Sequence, residues 1–114
     1  MVNDKRKLRR HRKRLQIKFG VEAASRFGFT EDLCDTGIFI KSAIVQTPNS
    51  VLRLQLTAPD GDVIELTGRV MWARKVPHNM LRRIKGGMGV RILEFQSGAD
   101  SYRKLCEELG IRSF

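Results

Sequence analysis

Hydrophobic and polar residues alternate along several stretches of this chain, which is the pattern of strands that bury one face. The first alternation runs over residues 15–23. In the next strand Phe27 and Phe29 fall on the same side, and Gly68 is expected to mark a bulge or bend in a long strand. The later strands are predicted over residues 26–30, 37–41, 51–56, 63–74 and 88–95.

The periodicity changes near the C-terminus, where apolar residues recur at helical spacing. They stand at positions 102, 105, 106 and 109. Ser97 or Asp100 is the expected N-cap of this helix, and Gly110 is its expected end.

Six strands joined mostly by short turns, such as the hairpin predicted at residues 59–61, favour a small antiparallel barrel. A closed barrel has no exposed sheet edge, and the terminal helix can plug one open end. The length of 114 residues allows one domain with one modest core. The predicted fold is therefore all-β, a six-stranded antiparallel barrel with a C-terminal α-helix.

The formal net charge of +10 is concentrated at the N-terminus. Residues 1–19 hold nine Lys or Arg against one acid, a net of +8, which leaves only +2 for the remainder. We predict a flexible basic leader over residues 1–13 and a barrel domain over residues 14–114. Such a leader favours an anionic partner, either nucleic acid, a nucleotide, an acidic lipid or an acidic protein surface. A solvated tail is the simpler alternative.

Several other classes of function find no support in the sequence. Cys34 and Cys106 are too few and too far apart for a disulfide framework or a zinc site, and neither His11 nor His78 stands in a metal-binding pattern. No apolar run has the length of a membrane span and no secretion signal is visible, so a cytoplasmic protein is expected. No catalytic arrangement, cofactor or metal site is predicted, and we do not expect an enzyme.

Two segments have the chemistry to hold a guanine nucleotide from both sides. Arg10 and Arg14 supply guanidinium groups four residues apart, which match phosphate oxygens and the O6/N7 edge of guanine. Residues 32–37 have the composition of a tight turn that ends at Gly37. The carboxylate of Asp32 in this turn can accept hydrogen bonds from the N1 and N2 donors of guanine.

These residues stand in an order that resembles the PilZ domain, the bacterial receptor module for cyclic di-GMP. Arg10 and Arg14 match the Arg-x-x-x-Arg motif of the family. Asp32 and Gly37 match its Asp/Asn-x-Ser-x-x-Gly motif, with Cys34 in place of the serine. Two later segments also resemble the family, Gly-Arg-Val-Met-Trp at residues 68–72 and Gly-Met-Gly-Val at residues 87–90.

The resemblance implies that Arg10 and Arg14 grip the bases and phosphates of the ligand. Arg6 and Arg10 have the same spacing, but Arg14 adjoins the first predicted strand, which favours the second frame. Arg9 is expected either to reach a second ligand molecule or a base, or to remain a solvated charge.

In the second motif the resemblance implies that Asp32 reads guanine, although an Asx-turn would also explain this residue. Cys34 replaces a hydroxyl with a weaker hydrogen-bonding group, at an expected loss of about 0.5–1.5 kcal/mol. Gly37 permits a positive φ or the close approach of a base, and turn geometry alone would also explain it. Trp72 is either a stacking face for the ligand or part of the core or barrel rim.

The function implied by the resemblance is that of a cyclic di-GMP receptor. Ligand binding is expected to order the basic leader over the barrel and to present a new surface to a downstream protein. One alternative is a PilZ-like barrel that no longer binds the ligand and acts only in protein interactions, which Cys34 favours. Another is a basic-tailed barrel that binds nucleic acid. That alternative is disfavoured because no base-stacking aromatics are interleaved with the leader's charges.

Overall fold

The computed structural model describes residues 14–80 and 86–108 of the chain. Within this part of the chain the six strands are β1 Gln16–Gly20, β2 Arg26–Leu33, β3 Gly37–Lys41, β4 Val51–Thr57, β5 Val63–Arg74 and β6 Gly87–Ser97. They form a closed antiparallel barrel in the order β1-β2-β3-β6-β5-β4. A 3₁₀ turn, His78–Met80, follows β5, and the helix α1, Ala99–Glu108, follows β6. The predicted barrel with a C-terminal helix is confirmed.

Alternate side chains of β1, β4 and β5 fill the interior of the barrel. In β4 the buried residues are Leu52, Leu54 and Leu56, whereas the residues between them are exposed or half-buried. Ile17 and Phe19 of β1 enter the same core. Burying each such side chain stabilises the fold by about 1.5–3 kcal/mol, so the alternation in the sequence is also what holds the barrel together.

The helix α1 packs its apolar side against this core. Tyr102, Leu105 and Cys106 are the buried residues of α1, and all three belong to the core cluster. Burial raises the pKa of the Cys106 thiol to about 11, so this cysteine stays protonated at neutral pH. In the described residues, 14–80 and 86–108, no helix has the length and apolar character needed to cross a membrane.

The start of α1 differs from the sequence prediction. The amide of Tyr102 donates to the carbonyl of Gly98 at 2.9 Å, so Gly98 is the residue that caps the first turn. The N-cap predicted at Ser97 or Asp100 is therefore wrong. Gly110, the predicted end of the helix, lies outside the described residues.

The ends of β1 and β2 differ most from the predicted ones, each by three residues, for local reasons. β1 ends at Gly20 rather than at residue 23, because the chain turns back so closely that a side chain at Gly20 would overlap the carbonyl of Ala23. Val21, predicted on the buried face, is exposed. β2 continues past its predicted end because a register shift between Thr30 and Asp32 lets it keep pairing with β3. The bulge predicted at Gly68 and the hairpin at residues 59–61 are both confirmed.

Candidate functional site

A cavity of about 640 Å³ lies where the β2–β3 connection faces β5 and β6. Asp32, Cys34, Gly37 and Trp72, which the sequence singles out, all line it. They lie up to 40 positions apart in sequence and meet because β3 pairs with β6 and β6 pairs with β5. The volume falls within the range of about 300–1,000 Å³ that is usual for small-molecule sites.

Hydrogen bonds fix the β2–β3 connection from three directions. The amide of Cys34 donates to the carbonyl of Gly37 at 2.9 Å and closes the turn. The amide of Ile92 in β6 donates to the carbonyl of Thr36 at 2.9 Å. The hydroxyl of Tyr102 in α1 donates to the carbonyl of Cys34 at 2.6 Å. This wall of the cavity is thus held in place by a strand and by the helix.

Tyr102 serves both the core and the cavity wall. Its ring is buried against Phe95, with ring centroids 5.4 Å apart, while its hydroxyl reaches the turn. Burial raises the pKa of Tyr102 far above its usual value, so the hydroxyl remains a donor at any physiological pH.

Tyr102→Phe is expected to lower the free energy of unfolding by about 1 kcal/mol, because the Cys34 carbonyl loses its donor while the packing of the ring is kept. Urea denaturation followed by circular dichroism would measure this. Ser101→Ala is the matched control, since its hydroxyl bonds Asp62 at the exposed surface and its loss should change stability by less than half as much. Equal losses in the two variants would mean that the buried hydrogen bond to Cys34 stabilises the fold no more than an exposed surface hydrogen bond does.

Asp32 and Cys34 differ in their surroundings. Asp32 is 9% exposed and lies in β2 itself, paired with Phe39 of β3, rather than in the turn. Cys34 is half-buried, and its Sγ lies 3.4 Å from the hydroxyl of Thr36. Thr36 therefore places a hydroxyl beside the thiol of Cys34, and the sequence motif alone did not point to Thr36.

Trp72 presents an exposed indole ring at the cavity. Its indole is 46% exposed and stacks on Phe39, with ring centroids 5.2 Å apart and an interplanar angle of 24°. Gly89 pairs with Trp72 across the sheet, and a Cβ at Gly89 would overlap the indole. Trp72 is thus on the rim rather than in the core, because Phe39 supports one face of the indole and Gly89 leaves it room.

The structure excludes one of the explanations offered for Gly37. It is absent from the residues with positive φ among those described, so the left-handed conformation is not the reason for this glycine. A Cβ at Gly37 would instead lie 2.9 Å from the carbonyl oxygen of Val90. Glycine is required because the backbone of β6 passes so close to the turn.

The sequence that forms this barrel and its cavity matches a known protein family. The family model for the PilZ domain matches residues 4–107, most of the chain. This chain belongs to the PilZ family. PilZ domains are receptor or adaptor modules rather than enzymes. No curated protein matches the chain.

A solved structure, the Bacillus subtilis inhibitor of motility (MotI/DgrA), shares the fold of this PilZ domain, with a TM-score of 0.66. The sequences are 17% identical, so the likeness concerns the fold alone. The match covers 88% of this chain but only 46% of the other protein.

The arginines that could bind an anion differ in their position relative to the cavity of this PilZ domain. Arg91, immediately after the Gly-Met-Gly-Val segment, pairs with Gly37 and lines the cavity, whereas its place in the sequence predicted only an outward-facing strand charge. Arg14 lies outside the cavity with its guanidinium carbon 5.4 Å from the ring centroid of Phe29. Arg9 and Arg10 lie outside the described residues. Within the described ranges, no group of His, Cys, Asp and Glu side chains has the arrangement of a metal site.

Proposed function

We propose that this PilZ domain is a receptor for cyclic di-GMP and that its 640 Å³ cavity takes a guanine of that ligand. The observation that carries the proposal is the meeting of three residues at one cavity: Asp32, Trp72 with its exposed indole, and Arg91. A carboxylate can accept from N1 and N2 of guanine, an indole offers a stacking face, and a guanidinium matches phosphate.

The leader and the adjoining Arg14 supply the second half of the proposed site. Arg14 lines a small hollow with Thr30 and Lys41, and Thr30 stands two residues before Asp32 in β2, a rise of about 7 Å. Arg10 is four residues before Arg14, so it can reach at most about 13–14 Å further along the surface. This span is sufficient for Arg10 to contact a ligand that already occupies the cavity.

Ligand binding would then order the leader over the cavity and create a surface for a partner protein. A dinucleotide has two phosphates and two guanines, so the cations of the leader and the groups of the cavity can bind opposite sides of it. The ordering cost is offset by charge-assisted hydrogen bonds, which are formed only with the ligand present.

Calorimetric titration of the full chain with cyclic di-GMP tests this proposal, with GMP as the control ligand. Trp72 is the single tryptophan of the chain, so its fluorescence gives a second, local readout of the cavity. Saturable heat together with a change in tryptophan emission is the expected result. The absence of both at tens of micromolar ligand would instead favour the alternative, a PilZ barrel that acts only in protein interactions, to which the thiol at Cys34 points.

Cys34→Ser is expected to tighten binding several-fold, because a hydroxyl replaces a weak hydrogen-bonding group at the cavity, a gain of about 0.5–1.5 kcal/mol. The neighbouring Thr36 hydroxyl keeps the effect modest, since it already offers a donor and an acceptor at that wall. Calorimetry would measure the change, and Cys34→Ala, which should bind like the unmodified chain, is the control. Equal tightening in both variants would assign the effect to side-chain size rather than to the hydroxyl.

A further inference from the structure

The outer surface of β2 carries two exposed phenylalanine rings. Phe27 and Phe29 are 57% and 46% exposed, while Gly28 and Thr30 between and after them face the barrel interior. Alternate residues of a strand lie about 7 Å apart on the same face. Neither ring lines the cavity of the proposed cyclic di-GMP site. Adjacent large apolar groups on a surface indicate a place of interaction more often than isolated ones do.

Cations from both neighbouring strands surround these rings. The Nζ of Lys18 in β1 lies 5.6 Å from the ring centroid of Phe27 and pairs with it across the sheet. Arg14 lies over Phe29, and Lys41 of β3 pairs with Phe29 on its other side. The two rings and these three cations together are called the aromatic face below; its residues are Arg14, Lys18, Phe27, Phe29 and Lys41. One acidic residue, Glu31, borders the aromatic face. Glu31 lines a small hollow together with Arg14 and Lys41.

We propose that the aromatic face is a stacking platform for single-stranded nucleic acid, a function beyond the proposed receptor role. The flat rings would stack on bases, which contributes about fivefold to 150-fold in affinity for each base. The flanking cations would contact the phosphates. The leader immediately before Arg14 adds seven Lys or Arg against one acid in residues 1–13.

The spacing of the rings favours a single strand over a duplex. Bases stacked in a duplex follow one another at about 3.4 Å, roughly half the distance between Phe27 and Phe29. An extended strand with splayed bases can place successive bases on both rings. The sequence disfavoured nucleic acid because the leader itself has no aromatics, but the fold brings two of them to the point where the leader joins the barrel.

Fluorescence anisotropy of the full chain with a labelled oligouridylate of about 12 nucleotides tests the proposal, since single-strand sites take about 4–16 nucleotides. The double variant Phe27→Leu, Phe29→Leu keeps the apolar area but removes the ring faces, and it should bind at least tenfold more weakly. Phe27→Tyr, Phe29→Tyr should retain the affinity. Val51→Ala, Leu93→Ala removes apolar groups of similar exposure elsewhere on the barrel and should change nothing.

Salt dependence separates stacking from charge. The leucine variant should leave the slope of log affinity against log salt unchanged, whereas Lys18→Ala should reduce the slope by about 0.7, the value for one phosphate contact on a single strand. Thermal melting by circular dichroism would establish that each variant is folded.

Three results would overturn the proposal. One is a wild-type chain that does not bind the oligouridylate at low salt. The second is a leucine variant that binds it with unchanged affinity. The third is poly-glutamate that binds the wild-type chain and the leucine variant equally well and displaces the oligonucleotide completely, which would identify the face as a site for acidic proteins.

Discussion

Replacing Arg10 or Arg14 with alanine is expected to weaken cyclic di-GMP binding at least tenfold in each case. A bidentate arginine contact to guanine contributes about 1–3 kcal/mol, and about 1.4 kcal/mol corresponds to a factor of ten. The effect should exceed that of removing any other single charge in residues 1–14, because the ligand loses a directed pair of hydrogen bonds when a guanidinium held against its base or phosphate is removed. Calorimetry at near-physiological salt would measure it.

Arg12→Ala is the matched control, since it removes the same charge from the same segment but stands outside the Arg10 and Arg14 spacing. Its effect should remain below about twofold, because exposed charges that make no direct contact are screened over about 8 Å at this ionic strength. Equal losses for Arg10 and Arg12 would mean that the leader acts through its total charge. A loss for Arg6 and Arg10 with none for Arg14 would shift the motif to the earlier frame.

The strands of the barrel could be predicted because the alternation of apolar and polar residues is visible within each strand. Alternation in β4 puts Leu52, Leu54 and Leu56 on one face, and no partner strand is needed to see it. The boundary of β1 could not be predicted in this way, because the strand stops where the backbone near Ala23 approaches Gly20, a contact that periodicity does not record. Alternation also put Phe27 and Phe29 on one face without showing that this face is the exposed one.

The cavity was predictable only in part, for a related reason. Asp32 and Trp72 stand in motifs that the sequence displays, and the structure brings both to one cavity. Arg91 and Phe39 join them through the pairing of β3 with β6 and through the stacking of two rings, which depend on strand register. Motifs therefore predicted some of the residues that line the cavity, whereas tertiary contacts decide which neighbouring side chains complete its lining.

Gly89→Ala is expected to lower the affinity for cyclic di-GMP about tenfold by displacing the indole of Trp72. The new Cβ would overlap the indole, which has to leave its stacked position on Phe39. Loss of a base–aromatic stack weakens binding by about 1–3 kcal/mol. Stability should fall less, because the indole is already 46% exposed and has solvent to move into.

The emission of Trp72, the single tryptophan, would report the displacement directly as a shift to longer wavelength in the Gly89→Ala variant without ligand. A double-mutant cycle with Trp72→Ala then identifies the cause of the affinity loss. If Gly89 acts by leaving room for the indole, its substitution should have little further effect once the indole is gone. Additive losses would mean that Gly89 is needed for the backbone of β6 itself. Unchanged affinity in the Trp72→Ala single variant would mean that the indole is not the face on which a guanine stacks.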